Sequence, residues 1–355
     1  MLPWTKKSLH VSSFDAERVG FGPGITKQEL RRLANSKNLL WLQTHESIAP
    51  KTARLINDEL LVHRPDINLR TYSGDWDLAF LSEMPDLRRF SVDCAFKIDN
   101  LEALSHLTRL ERLTVGGNSL ISFDFLTHVN PNITELGLYQ TFSKKPRIDL
   151  ISRFPKLKVL YLEGQQRPIE VISTLRDIED LTLRSISTPD LKYLLPQTKL
   201  KRLDIKLGGI NDFSALAEMT HLTYLEIWLV RKFADLGFLE HMVGLEKVFL
   251  QSLSNVTELP NLSRLTSLTK LTLMDMKGLR DLTPILSATS LEDFACIDQR
   301  NFKPKDFEPI LDMPSLKKVS VGFGGLENCL QFLKMTRARG LINSFDGPAT
   351  TLYGE

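Results

Sequence analysis

The side chains that most often perform catalysis or bind metals are few and scattered in this sequence. The seven histidines lie far apart, and no His-Glu-x-x-His, Cys-x-x-Cys or Gly-x-Ser-x-Gly motif occurs. The run Gly20-Phe21-Gly22-Pro23-Gly24 has the spacing of neither a Walker A loop nor a dinucleotide fingerprint, so it is predicted to be a loop. The sequence therefore predicts no catalytic residue, no metal site, no cofactor and no small-molecule substrate, and the chain is predicted not to be an enzyme.

The cysteines and the charges narrow the class of protein further. Cys94, Cys296 and Cys329 are odd in number and far apart, which is typical of a reducing compartment rather than of a disulfide scaffold. No apolar run reaches the ~18 residues needed to span a bilayer, and no apolar core follows the basic pair Lys6-Lys7. Lys and Arg number 45 against 43 Asp and Glu, so charge gives no argument for nucleic acid. We expect a cytoplasmic protein that binds neither membrane nor nucleic acid.

An apolar pattern, Leu-x-x-Leu-x-Leu, recurs along most of the chain. Leu200/Leu203/Ile205 is one clear copy. The middle positions of the copies fall at residues 67, 90, 113, 136, 160, 181, 203, 225, 248, 271, 294 and 319. The last two residues of each copy are two apart, so they point to the same side of a short strand. One such unit cannot bury its apolar side alone, and the pattern therefore predicts a stack of parallel strands.

This pattern resembles the leucine-rich-repeat family over about residues 61–322. It is similar to the short-repeat type of bacterial internalins and phosphatase-regulatory proteins, although the Asn position of that type is degenerate and holds Asn only at Asn118. The resemblance implies an α/β repeat protein: a curved solenoid with a parallel β-sheet on its concave face. Short 3₁₀ segments are expected on the convex side, each capped by a preceding Asp such as Asp212, Asp235 or Asp281.

The segments outside the repeats are predicted to be caps, because an open stack exposes its terminal core. Residues 1–60 form the N-terminal cap, in which Thr26 and Glu29 have the spacing of a capping box. Residues 39–42 are interpreted as a first, irregular strand, and 51–61 as a second helical stretch.

Residues 323–355 form the predicted C-terminal cap. Leu326, Cys329, Leu330 and Leu333 have the i, i+3, i+4, i+7 spacing of an amphipathic helix, and Gly340 is placed to end that helix. About twelve repeats, residues 61–322, lie between the two caps.

The residues that alternate with the buried strand positions should form the concave face. Five of these 36 positions are aromatic, and all five lie between residues 139 and 249. Basic and acidic residues are nearly balanced on this face, which disfavours a phosphate-tracking groove. The predicted partner-binding residues are Tyr139, Tyr161, Glu163, Arg184, Asp204, Lys206, Tyr224, Glu226, Trp228, Lys247, Phe249 and Met274.

Two interpretations of the aromatic residues remain open at this point. Aromatic side chains on a sheet can simply cover neighbouring strands, or they can form a patch that binds another protein. The second interpretation leads to a non-enzymatic protein-binding module, and its most specific form is a cytosolic inhibitor or immunity-type protein that neutralises a partner such as a toxin. The alternatives are a regulatory or targeting subunit of an enzyme such as a phosphatase, or an enzyme or effector whose activity lies in the terminal regions.

Overall fold

The protein is described from a computed structural model. The structure describes residues 11–13, 17–141, 146–165, 167–298 and 300–343. They divide into two compact units, Met1–Ile178 and Glu179–Glu355, which we call unit 1 and unit 2. The parts of the predicted caps before residue 11 and after residue 343 lie outside the described residues. The predicted boundaries between caps and repeats stay predictions.

Unit 1 is built on a sheet of short strands. Its strands are β1 (Val11–Ser13), β2 (Arg18–Phe21), β3 (Trp41–Thr44), β4 (Asn68–Tyr72), β5 (Asp75–Asp77), β6 (Arg89–Ala95), β7 (Lys97–Asp99), β8 (Arg112–Gly117), β9 (Glu135–Leu138) and β10 (Val159–Glu163). The order in the main sheet is β1-β2-β3-β4-β6-β8-β9-β10, and β5 pairs with β7 in a second sheet. Apart from the antiparallel β1–β2 pair, the pairs within unit 1 are parallel.

Helical segments connect these strands. Unit 1 contains α1 (Lys27–Ala34), α2 (Pro50–Ile56), a π-helical turn (Asn57–Leu61) and the 3₁₀ helices Leu78–Glu83, Leu101–His106, Asp124–His128, Asp149–Arg153 and Ile169–Thr174. The predicted capping box is confirmed, because the Glu29 backbone N–H donates to the Thr26 hydroxyl while the Glu29 carboxylate accepts from the Thr26 backbone. This reciprocal pair satisfies two donors that the first turn would otherwise leave unpaired.

Unit 2 repeats the same plan. Its strands are β11 (Asp180–Arg184), β12 (Arg202–Lys206), β13 (Tyr224–Trp228), β14 (Lys247–Gln251), β15 (Lys270–Met274), β16 (Asp293–Ile297), β17 (Lys318–Val321) and β18 (Ile342–Asn343). Successive strands pair in parallel from β11 to β18. Its helices are the 3₁₀ segments Lys192–Leu194, Ser214–Glu218, Gly237–His241, Thr283–Ser287 and Pro304–Phe307, with α3 (Glu308–Leu311) and α4 (Leu326–Ala338).

The predicted Asp caps are present in unit 2. The carboxylates of Asp212, Asp235 and Asp281 each accept a hydrogen bond from the backbone N–H two residues later, at 2.8–2.9 Å. Each cap satisfies a donor at the start of a 3₁₀ segment, which explains why Asp recurs at this point of the repeat.

The core confirms the predicted repeat register except in the first copy. In unit 2 the cross-strand partners include Leu181, Leu203 and Leu225, and all three are fully buried. In unit 1 the middle position of the first copy is Leu69 rather than Ile67, since Leu69 pairs with Leu42 on one side and with Phe90 on the other.

This two-residue correction has a physical cause. The second core position of the strand is Thr71, which is fully buried, so a search for apolar residues alone misplaces the copy. Because side chains alternate along a strand, Asn68, Arg70 and Tyr72 lie on the face of β4 opposite the core. Of these, Asn68 is buried, Arg70 is half-buried and Tyr72 is exposed, so the two-residue shift adds Tyr72 to the predicted face.

Two further predictions are corrected. Gly20 and Phe21 belong to β2 and pair in the sheet, so only the last part of the predicted Gly20–Gly24 loop is a loop. Helix α4 exists and Gly340, at φ +69°, follows its C-cap, but its buried face was predicted wrongly. Leu326 is 75% exposed, whereas Phe332 is buried with its ring 5.6 Å from that of Phe307. This aromatic contact sets the rotation of the helix.

Each strand of unit 2 from β11 to β16 is followed directly by a residue with left-handed backbone geometry. The six residues directly after these strands have φ between 51° and 58°, and they are Ser185, Leu207, Leu229, Ser252, Asp275 and Asp298. The N–H groups of the first five donate to the last strand residue of the next repeat at 2.7–2.9 Å. The turn out of the sheet is therefore made by a ladder of backbone hydrogen bonds between repeats.

Candidate functional site

The exposed face of the unit 2 sheet brings several predicted residues together. Tyr224, Glu226 and Trp228 are half-buried on this face, while Leu225 and Ile227 between them are fully buried. In the next strand Lys247 pairs with Tyr224, and Phe249 pairs with Glu226. The alternation and the register predicted for these two strands are confirmed. We call Tyr224, Trp228 and Phe249 the aromatic surface.

A cluster of charged side chains lies beside the aromatic surface. Asp204 Oδ2 accepts from Arg202 at 3.0 Å and contacts Lys206 Nζ at 3.3 Å. Lys206 Nζ also lies 3.1 Å from Glu226 Oε1, and the Tyr224 hydroxyl donates to Glu226 Oε2 at 3.0 Å. Two cations and two anions are thus connected across β12 and β13, and Asp180 of β11 adds a third carboxylate, 3.8 Å from Arg202.

Burial governs the ionisation of this cluster. Desolvation raises the pKa of Asp204, and the nearby charge of Glu226 raises it further, while Arg202 and Lys206 oppose the shift. Burial followed by the charge of Glu226 also raises the pKa of Tyr224, so its phenol stays a hydrogen-bond donor at neutral pH. The Asp204 Oδ1 atom is buried and has no hydrogen-bond partner among the described residues.

Arginine side chains stack on two of the three aromatic rings. The Arg202 guanidinium carbon lies 3.6 Å from the centroid of the Tyr224 ring, and that of Arg184 lies 5.9 Å from the centroid of Trp228. These cation–π contacts hold the rings in place on the sheet. Lys247 is exposed and makes no ion pair within the described ranges, so its ammonium group is available to solvent.

Two of the predicted contact residues do not present their side chains to solvent. The Asp204 side chain is 6% exposed, because Arg202 and Lys206 pair with it from the same face. Met274 is buried at 9% exposure. The prediction that these two side chains contact a partner directly is therefore corrected. Asp204 holds its charged neighbours in place, and Met274 packs within the sheet.

The predicted residues of unit 1 form a smaller group. The Tyr139 and Tyr161 rings lie 4.8 Å apart at an interplanar angle of 59°, on neighbouring strands. Tyr139 follows β9 directly, and Glu163 is the last residue of β10. All three side chains are half-buried. A Cβ at Gly116 would lie 2.6 Å from the Tyr139 Cβ, so glycine is needed where Tyr139 packs.

Sequence reasoning missed an arginine-rich part of the unit 1 face. Arg18, Trp41, Arg70 and Arg112 line one cleft together with Tyr139. Arg18 and Trp41 lay in the predicted cap, and the two-residue shift in β4 put Arg70 on the correct face but in the wrong row. One feature of the sequence could have revealed this part of the face. Val19 and Phe21 are apolar and two residues apart, like the core pair of each repeat, and they mark β2 as a further strand.

The described residues contain no group of His, Cys, Asp and Glu side chains that could hold a metal ion. Cys296 is fully buried in the core, as predicted, and burial raises its thiol pKa. Among the helices in the described ranges, none is long and apolar enough to cross a bilayer.

Comparisons with known proteins identify the fold. No family model and no curated protein matches the chain. A leucine-rich-repeat protein of Leptospira interrogans is similar in structure, with a TM-score of 0.50 and 14% identity over 90% of this chain and 98% of that protein. An internalin of Listeria monocytogenes matches with a TM-score of 0.49 and 16% identity, over 92% of this chain and 85% of the internalin. The parallel sheet of repeats and the similarity to the Leptospira protein show that the chain has the leucine-rich-repeat fold, as its repeats predict.

Proposed function

We propose that the chain is a non-enzymatic protein-binding module and that the aromatic surface of unit 2 contacts the partner. The observation that carries this proposal is the placement of Tyr224, Trp228 and Phe249 on one face of two paired strands. Aromatic residues dominate the hot spots of protein interfaces, and side chains held on a rigid sheet lose little conformational entropy on binding.

The charged residues around the aromatic surface give the proposed interface its specificity. Arg184, Lys206 and Glu226 are already held by neighbours, whereas the exposed Lys247 is open to a partner carboxylate. Charges at the rim of an interface set orientation and partner choice more than they set affinity. The near balance of charge over the chain favours a protein partner over nucleic acid.

The more specific form of the proposal is a cytoplasmic inhibitor of the immunity type, for which binding a partner such as a toxin is itself the function. The alternative is a regulatory or targeting subunit of an enzyme such as a phosphatase, and activity in the terminal regions is the alternative of another class. The three free cysteines support the cytoplasmic location. An inhibitor abolishes its partner's activity on binding, whereas a targeting subunit leaves that activity intact.

The proposal is tested with two matched variants. Partners are identified by affinity purification and mass spectrometry, and calorimetry then measures their affinity for wild type, Trp228→Ala and Glu218→Ala. We expect Trp228→Ala to weaken binding by about 2 kcal/mol or more, about 30-fold. Glu218, exposed in a 3₁₀ segment, is the control, and its variant should lose less than ~0.5 kcal/mol. Equal affinities for Trp228→Ala and wild type would exclude the aromatic surface as the binding site.

A further inference from the structure

A cleft of about 180 Å³ opens on the exposed face of the unit 1 sheet. Arg18, Trp41, Arg70, Arg112 and Tyr139 contribute to its walls. This volume has room for one side chain or a small ion.

Two of the arginines that line this cleft, Arg70 and Arg112, differ in how a carboxylate compensates their charge. Arg70 and Asp93 form a closed pair, with two hydrogen bonds of 2.6 and 2.8 Å. Glu135 is instead shared, with its carboxylate 3.5 Å from Arg89 and 3.3 Å from Arg112. One carboxylate thus faces two guanidinium groups, which leaves this trio with one surplus positive charge.

The donors around the cleft are held in place before any ligand arrives. The Arg112 guanidinium carbon lies 5.2 Å from the centroid of the Trp41 ring, a cation–π contact that restricts the side chain. Burial, and then the charge of Asp93, raises the pKa of Tyr139, so its hydroxyl remains a donor at neutral pH. A ligand that accepts hydrogen bonds would therefore meet donors that lose little freedom on binding.

We propose that this cleft binds the carboxylate of an aspartate or glutamate side chain in an acidic segment of a protein partner. A single negative charge matches the surplus of one positive charge that Arg112, in the wall of the cleft, shares with Arg89 and Glu135 beside it. The planar guanidinium fork suits a carboxylate, and a phosphate dianion would bring a second negative charge close to Asp93. The site shares no residue with the aromatic surface, so it stands independently of the function proposed for that surface.

The test uses the full chain and a fluorescein-labelled, C-terminally amidated peptide that contains three glutamates. Its twin with three glutamines is the control probe, and fluorescence anisotropy measures binding at low ionic strength. We expect the glutamate peptide to bind and the glutamine peptide not to bind. Arg112→Gln should weaken the binding of the glutamate peptide by about tenfold, because a charge-assisted hydrogen bond is lost.

A second variant, Glu135→Gln, should strengthen the binding of the glutamate peptide, whereas Arg112→Gln weakens it. Removing the shared acid leaves Arg89 and Arg112 with no competing carboxylate, so the glutamate peptide should bind several-fold more tightly. If Glu135 were needed only to hold the arginines in place, its loss would weaken binding instead, and that result would overturn the proposal. Equal binding of the two peptides would also overturn it.

Two further controls identify the ligand and separate the two sites. Inorganic phosphate, added as a competitor at the peptide's own concentration, should leave most of the peptide bound; complete displacement would show a site for free anions and refute the proposal. Trp228→Ala should bind the glutamate peptide as wild type does. A loss of peptide binding in Trp228→Ala would mean that the peptide binds the aromatic surface rather than this cleft.

Discussion

Leu229 occupies a backbone conformation that normally suits glycine. Its φ is +51°, and its N–H donates to the Gln251 carbonyl at 2.9 Å within the ladder of strand-end turns. A residue with a Cβ loses roughly 1–2 kcal/mol in this region. If the ladder determines where each strand ends, the fold tolerates that cost because the hydrogen bond joins two repeats.

The perturbation is a pair of variants, Leu229→Ala and Leu229→Gly. Both lose nearly the same contact area, because the Leu229 side chain, 45% exposed, is truncated in each. Their difference therefore isolates the Cβ. Relative to alanine, glycine at this position stabilises the folded state by roughly 1–2 kcal/mol, because it relieves the backbone strain. It also lowers the free energy of unfolding by roughly 0.5–1 kcal/mol, because the unfolded chain has more conformational freedom with glycine. We expect Leu229→Gly to be the more stable by about 0.5–1 kcal/mol.

The assay is urea unfolding, with the midpoint and slope measured by both circular dichroism and tryptophan fluorescence. Two probes are needed because stacked repeats can unfold in parts. The matched control is Glu218, an exposed residue of the 3₁₀ segment Ser214–Glu218. There the usual order should hold, with Glu218→Ala more stable than Glu218→Gly by about 0.5–1 kcal/mol. The reasoning is refuted if Leu229→Ala is at least as stable as Leu229→Gly.

Two further predictions concern the core and the charged cluster of unit 2. Leu203→Ala and Leu225→Ala each remove a fully buried side chain and should cost ~2–5 kcal/mol in urea unfolding; a wild-type curve for both would mean that the register is wrong. Asp204→Asn should be more stable than wild type at neutral pH, because the raised folded pKa of Asp204 disfavours its ionised form. The difference in stability between the variant and wild type should disappear as the pH falls through that folded pKa towards the ordinary value of 3.8. If Asp204→Asn is instead less stable than wild type at neutral pH, the ion pairs of Asp204 outweigh its desolvation.

The repeat spacing predicts most of the fold because each repeat buries its apolar strand residues against the neighbouring repeats in the same way. Leu203 and Leu225 are cross-strand partners as the spacing requires. The spacing fails where a polar residue takes a core position, as at Thr71, whose burial depends on the strands on either side. It also fails at α4, because the helix faces the Phe307 ring through Phe332 and no local pattern reveals that contact.

The candidate site is predictable only in part, for a related reason. Alternation along a strand places Trp228 on the exposed face, but it does not tell how deeply a charged neighbour is buried. Asp204 is buried because Arg202 and Lys206 pair with it, and this pairing joins positions along one strand. The unit 1 cleft draws on strands from β2 to β8 and on Tyr139 directly after β9, so it becomes visible only once the strands of the described residues are in register.

The two faces differ in how their charges are compensated, and this difference gives each proposed site its own dependence on salt. In unit 2, Arg202 and Lys206 lie among three carboxylates, those of Asp180, Asp204 and Glu226, so both cations beside the aromatic surface have anionic partners. Binding there would be driven by the burial of rings, which salt screens little. In unit 1, Arg89 and Arg112 share the single carboxylate of Glu135, so a ligand or ions from solution would neutralise the surplus charge there. Because the Debye length falls from ~30 Å at 0.01 M to ~10 Å at 0.1 M salt, a carboxylate bound there competes with dissolved ions. The two proposed sites can therefore be told apart by salt alone.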